Sequence, residues 1–161
     1  MGTGRLKLSY SDDNELWINF LEKAYAKSHG SFEVIEGGFG IESFVALTGA
    51  PTKLIRPQEI DDKDGLAKSL VTEAANGAFM VAGTPGKPTG DPRQNEYYDK
   101  NGLVYGHMYT LMNVVKVEEN GRPVILFKLR NPHARDEWRL KWADDSQSWT
   151  PELKKLLGVE R

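Results

Sequence analysis

Residues 106–132 decide the fold, and they read GHMYTLMNVVKVEENGRPVILFKLRNP, two apolar runs on either side of a polar centre. The centre contains Asn-Gly at 120–121, and this pair between apolar runs is the strongest short signal for a β-hairpin. With this pair in the turn, the numbers of opposed residues add to 241, so Asn131 faces Thr110 and His107 lies three residues along. A β-bulge or a frayed strand end would bring the imidazole and the amide together.

His107 and Asn131 are residue types with a joint catalytic use. A thiolate nucleophile needs an imidazole partner, and the imidazole needs a third group, which can be Asn, to fix its tautomer and orientation. His107 and Asn131 are therefore candidate catalytic residues. The chain contains no cysteine, so the nucleophile would come from outside it. The alternative is that His107 is a structural residue at a strand edge and that Asn131, before Pro132, only terminates the strand.

The rest of the pattern predicts an α+β fold with an antiparallel sheet and three helices. The first helix would begin after Asp12 or Asp13 as N-cap and end before Gly30. The predicted helices span residues 14–27, 41–47 and 64–75, and a short strand follows at 78–83. All three helices precede most of the sheet, which argues against alternating βαβ units.

Residues 84–102 are rich in Pro and Gly and poor in apolar residues. We expect no packed element there but one long loop, which ends at the strand that carries His107. Loops of this length inside compact domains are functional or disordered.

Composition limits the class of protein. The 161 residues, 39% of them hydrophobic, suffice for one core, so we expect a single domain over residues 1–161. A net charge of −2 indicates no nucleic-acid partner, and the absence of a long apolar run indicates no direct membrane insertion. The start lacks the apolar region of a signal peptide. With no cysteine for a disulfide scaffold, we expect a cytoplasmic protein.

After Pro132 the sequence becomes acidic and rich in tryptophan. Acidic oxygens along a loop can bind a hard cation such as Ca²⁺, which takes six to eight oxygen ligands. Such loops are more often simply solvated. A second interpretation uses the aromatic cluster of this segment as the recognition surface of a freestanding α+β binding module, and the cluster consists of Trp138, Trp142 and Trp149.

Motifs along nearly the whole chain, in one order and without large gaps, resemble the second subdomain of the calpain protease core. In the first half they are Leu16-Trp17, residues 21–27, His29-Gly30-Ser31-Phe32-Glu33, Gly37-Gly38 and Leu47-Thr48-Gly49. In the second half they are residues 106–111, Leu129-Arg130-Asn131-Pro132, Glu137-Trp138, residues 142–146 and Trp149. Each motif alone is weak, but the ordered set is specific.

The resemblance implies a papain-like right-hand subdomain over about residues 10–158, cut short at its C-terminal end. It implies a calpain-like cysteine endopeptidase that acts on protein substrates. The partner would be the first subdomain, which carries the catalytic cysteine. It also implies that Glu137 and Asp144 are calcium ligands. The family completes that calcium site with an acidic segment that would lie beyond Arg161, so the site in this chain would be incomplete.

The resemblance further places four residues at the substrate cleft. Tyr97 and Tyr98 would lie on a gating loop, and His133 and Trp138 would flank the catalytic pair. Calpains commonly have Trp where this chain has His133, and an imidazole shields the pair from water less well and can itself titrate. A non-catalytic calpain homologue that uses the core as a binding scaffold is the alternative, and the residue at the nucleophile position would distinguish the two.

Overall fold

The computed structural model of the protein describes residues 15–87, 90–132 and 135–158. The chain forms two compact units, Met1–Leu54 and Ile55–Arg161. No helix in the described residues is long and apolar enough to cross a membrane.

The first unit contains helices α1, Trp17–His29, and α2, Gly40–Thr48. α1 has Leu16 at its N-cap position; the predicted caps Asp12 and Asp13 lie outside the described residues. Glycine follows each helix, as predicted, and Gly49 adopts the left-handed conformation that glycine accepts without a steric penalty. A 3.2 Å hydrogen bond between the hydroxyls of Tyr25 and Ser43 joins the two helices.

The second unit contains a three-stranded antiparallel sheet in the order β1-β2-β3. After a short 3₁₀ helix, Pro57–Glu59, its elements are α3, Lys63–Ala75; β1, Met80–Gly83; α4, Pro92–Asn101; β2, Met108–Glu119; β3, Arg122–Arg130; and α5, Pro151–Leu157. The α+β class and the antiparallel sheet agree with the prediction. Helix α3 packs against β2, and the buried side chains of β2 are those of Tyr109, Leu111, Val114 and Val117.

The predicted hairpin joins β2 and β3. Asn120 and Gly121 have φ angles of 49° and 75°, as a type I′ turn requires of both central residues. Glu119 pairs with Arg122, and the register continues to the pair Asn113 and Lys128. Beyond it the register shifts by one residue at a bulge, so that Leu111 pairs with Leu129.

The prediction of a structureless loop over residues 84–102 was wrong, because α4 occupies its second half. Asp91 accepts a hydrogen bond from the backbone N–H of Arg93 at the start of α4, and Pro92 is its first residue. Gly102 ends the helix in the left-handed conformation. The predicted count of three helices was too low as well, since the described residues form five α-helices.

Candidate active site

His107 lies immediately before β2, where β1 and β2 begin to pair. Its side chain is buried, with 6% of its surface exposed. The backbone N–H of Thr84 donates to the carbonyl of His107 at 2.9 Å, and the N–H of His107 donates to the Thr84 hydroxyl at 3.0 Å. The backbone of His107 is therefore fixed from the β1 side of the sheet.

Asn131 directly follows β3, and the bulge in β2 decides whether its side chain lies on the same face of the sheet as His107. Without the bulge Asn131 would oppose Thr110, whose side chain points to the opposite face from those of His107 and Tyr109. The register shift pairs Thr110 with Arg130 instead, so the next position brings Asn131 opposite Tyr109. One inserted residue thus places Asn131 on the same face as His107.

Nε2 of His107 and Oδ1 of Asn131 are 2.7 Å apart, so the two residues are hydrogen-bonded as well as adjacent. The amide nitrogen of Asn131 donates to the carbonyl of Arg135, and this bond orients the amide so that its oxygen faces His107. Because that oxygen only accepts, Nε2 carries the hydrogen. In the neutral imidazole, Nδ1 is then the nitrogen that can accept a proton.

Tyr109 supports the imidazole from within the same sheet face. Its ring meets the His107 ring edge to face, with centroids 4.6 Å apart and planes at 85°, a favoured geometry for aromatic pairs. The Tyr109 hydroxyl accepts a 3.1 Å hydrogen bond from the N–H of Val104. Neither Tyr109 nor Thr84 was predicted as a site residue from the sequence. Tyr109 could have been found from strand alternation, since it lies two residues after His107.

Two of the predicted cleft residues contact each other. The rings of Tyr97 on α4 and Trp138 lie 6.4 Å apart, and the Trp138 indole N–H donates to the carbonyl of Lys141 at 2.9 Å. The Tyr97 side chain lies on a helix and is about half exposed, which corrects its predicted location on a loop. The fourth predicted cleft residue, His133, lies outside the described residues.

Tyr98, the next residue of α4, stacks on Tyr105 with a centroid distance of 4.5 Å. The Tyr105 hydroxyl donates to the side-chain oxygen of Asn95, also on α4. Burial raises the pKa of Tyr98, and the nearby Tyr109 raises it further. Tyr98 is therefore uncharged at neutral pH, and it ties α4 to the segment that precedes His107.

The predicted calcium ligands, Glu137 and Asp144, are both exposed in the segment after β3. Within the described ranges, no three His, Cys, Asp or Glu side chains lie close enough together to hold a metal ion. Two carboxylates supply at most four of the six or more oxygens that Ca²⁺ takes. Glu137 and Asp144 would therefore need further oxygen ligands to hold Ca²⁺.

Residues 136–139, which follow β3, pack against the end of α4. Gly102, the residue after α4, packs closely against the backbone of Glu137. A methyl group at Gly102 would lie 2.0 Å from the carbonyl oxygen of Glu137. The backbone N–H of Arg139 donates to the carbonyl of Asn101 at 3.3 Å. The end of α4 and residues 136–139 therefore pack as one structure, which also carries the contact between Tyr97 and Trp138.

Comparisons with known proteins identify the family of the chain. The model of the calpain family cysteine protease matches residues 3–161. The chain is 37% identical over 89% of its length to a calpain-type cysteine protease of Oryza sativa subsp. japonica, 36% over 91% to one of Zea mays, and 32% over 88% to calpain-9 of Homo sapiens. It spans 6%, 7% and 20% of these relatives. The chain belongs to the calpain family of cysteine proteases.

Proposed function

We propose that residues 10–158, approximately, are the second subdomain of a calpain-like protease core with a papain-like fold. In this proposal the chain supplies the histidine and the asparagine of a catalytic triad, His107 and Asn131. The observation that carries the proposal is the 2.7 Å hydrogen bond between His107 Nε2 and Asn131 Oδ1. Family membership supports it, because a cysteine protease needs these residue types beside its thiolate.

The proposed reaction divides the triad between two subdomains. A cysteine of the first subdomain would approach Nδ1 of His107, which would take the thiol proton and remain beside the thiolate as an imidazolium. The thiolate would attack the carbonyl carbon of a peptide bond, and Nδ1 would return the proton to the leaving amine. Water would then hydrolyse the acyl-enzyme with the same imidazole as base. Asn131 would hold Nε2 throughout, so that Nδ1 keeps facing the cysteine.

Protein substrates would bind beside this pair, and we place Tyr97 and Trp138 at the border of the cleft. Their ring contact joins α4 to residues 136–139, so the two aromatic rings would move together with α4. His133 and Tyr98 are assigned to the cleft on the family resemblance alone. Glu137 and Asp144 would supply at most four of the six or more oxygens that Ca²⁺ takes, and the proposed catalytic steps use neither carboxylate.

The test is a fusion protein in which the first subdomain of calpain-9 of Homo sapiens precedes this chain. We expect thiol-dependent cleavage of casein, its loss with His107→Ala, and a fall of roughly tenfold or more with Asn131→Ala. Replacing the first-subdomain cysteine with serine provides the inactive control. A folded fusion with no turnover would refute the proposal and favour the non-catalytic scaffold. Equal turnover by the His107→Ala variant would refute the residue assignment.

A further inference from the structure

The junction between β1 and His107 is an unusual end to an antiparallel ladder. Gly83 pairs with Met108, and the next opposed residues are Thr84 and His107. In a regular hydrogen-bonded pair, the two residues exchange both N–H to C=O bonds. Here the N–H of Thr84 donates to the carbonyl of His107 at 2.9 Å, but the N–H of His107 donates to the Thr84 hydroxyl at 3.0 Å.

The hydroxyl replaces the backbone carbonyl because β1 ends at this point. Pro85 follows Thr84, and its carbonyl accepts a hydrogen bond from the N–H of Gly106. Gly106 has a φ of +61°, and a methyl group there would lie 3.2 Å from the carbonyl oxygen of Gly86. Residues 85–86 and Gly106 approach each other closely here and do not continue the β ladder. The N–H of His107 therefore needs an acceptor from a side chain.

The Thr84 hydroxyl satisfies that need and also fixes the segment before His107. Its own hydrogen bonds the carbonyl of Val104 at 2.6 Å, while the N–H of Val104 donates to the Tyr109 hydroxyl. The peptide groups of Val104 are therefore held by the two residues that also contact His107. One threonine hydroxyl thus acts as acceptor for His107 and as donor for the segment that leads into it.

We propose that Thr84 is a positioning residue of the active site, whose hydroxyl holds His107 in register with Asn131. The contribution of Thr84 to catalysis rests on the proposed function, but its positioning of His107 can be tested in this chain alone. Without the acceptor, the amide of His107 would be left unsatisfied at a buried position, which is strongly unfavourable. The segment 106–107 would move away from β1 to reach water, and the imidazole would move away from Asn131 with it.

The consequence is specific to the hydroxyl group. Valine has the shape of threonine but neither accepts from His107 nor donates to Val104. Serine keeps the hydroxyl and loses only a methyl group. Thr72 offers a matched control, because its hydroxyl bonds the Lys68 carbonyl on the exposed surface of α3, where valine should leave His107 unchanged.

The experiment records ¹⁵N NMR spectra of the His107 ring and hydrogen exchange of its amide in the whole chain. In the wild type we expect the Nε2–H tautomer to exceed the other by about tenfold, the effect of one hydrogen bond. Thr84→Val should lower this ratio by about threefold or more and speed amide exchange by about tenfold. Thr84→Ser and Thr72→Val should leave both values near the wild type.

An unchanged ring signal in a folded Thr84→Val variant would overturn the proposal. Should that variant fail to fold, the wild-type spectrum decides: a slowly exchanging Thr84 hydroxyl proton close to the His107 amide supports the proposal, and a rapidly exchanging one refutes it. An inactive fusion protein in which the His107 tautomer is as expected would contradict the proposed function but not the positioning role of Thr84.

Discussion

Replacing Gly102 with alanine should destabilise the second unit strongly, because two costs coincide at this position. Gly102 has a φ of +72°, and an alanine in the left-handed conformation costs about 1–2 kcal/mol. The added methyl group would also lie 2.0 Å from the carbonyl oxygen of Glu137 and 2.8 Å from its carbon. Both are backbone atoms, so residues 136–137 would have to shift, at about 1–3 kcal/mol for overpacking.

The expected loss is therefore about 2–5 kcal/mol in the free energy of unfolding. Gly158 is the matched control, since it also ends a helix with a φ of +58°, but no atom of the described residues lies within 4 Å of the added methyl position. Gly158→Ala should cost only about 1–2 kcal/mol. Urea unfolding followed by circular dichroism measures both values. Equal losses in the two variants would show that the packing of α4 on residues 136–137 is not as described.

Three further predictions concern activity, calcium and helix α5. The isolated chain should cleave no casein, because it contains no cysteine; turnover that copurifies with it and vanishes with His107→Ala would contradict this. At a dissociation constant near 1 mM, about 1 mM Ca²⁺ raises the free energy of unfolding by only about 0.4 kcal/mol. The melting temperature should therefore rise by no more than about 2 °C. Micromolar binding in calorimetry would show that the ligand assignment is incomplete. Lys128 donates to the carbonyls of Leu157 and Gly158, so Lys128→Met should cost about 1–2 kcal/mol in urea unfolding, whereas no loss would refute this role in stabilising α5.

The hairpin and the pair that it carries could be predicted from sequence because their signals are local. Asn120-Gly121 fixed the turn, and counting outward from it brought His107 and Asn131 near each other. Counting residues from the turn placed Asn131 on the wrong face of the sheet, however, because the bulge between Leu111 and Asn113 shifts the register by one residue. Counting from the turn assumes an unbroken register, so it cannot locate a bulge.

Helix α4 escaped prediction because, apart from Pro92, its apolar residues are only the neighbouring Tyr97 and Tyr98. Helix α5 escaped prediction because its 7 residues are too few to establish a helical period. Their termini did contain a signal: Asp91-Pro92 and Thr150-Pro151 are N-cap and first-turn pairs, and Gly102 and Gly158 follow the last helical residues. Cap residues alone do not distinguish a short helix from a turn, because the same residue types are common in turns. The role of Thr84 could not be predicted at all, because it depends on where β1 ends relative to His107.

The most direct test of the proposed active site is the pH dependence of alkylation of the first-subdomain cysteine in the fusion protein. If His107 faces that thiol through Nδ1, the imidazolium stabilises the thiolate and lowers the pKa of the cysteine to about 7.5 or less. Iodoacetamide should then react rapidly at pH 7, and His107→Ala should return the pKa of the cysteine to about 8.5. The same alkylation profile with and without the imidazole would contradict the proposal that His107 is the catalytic partner of that cysteine.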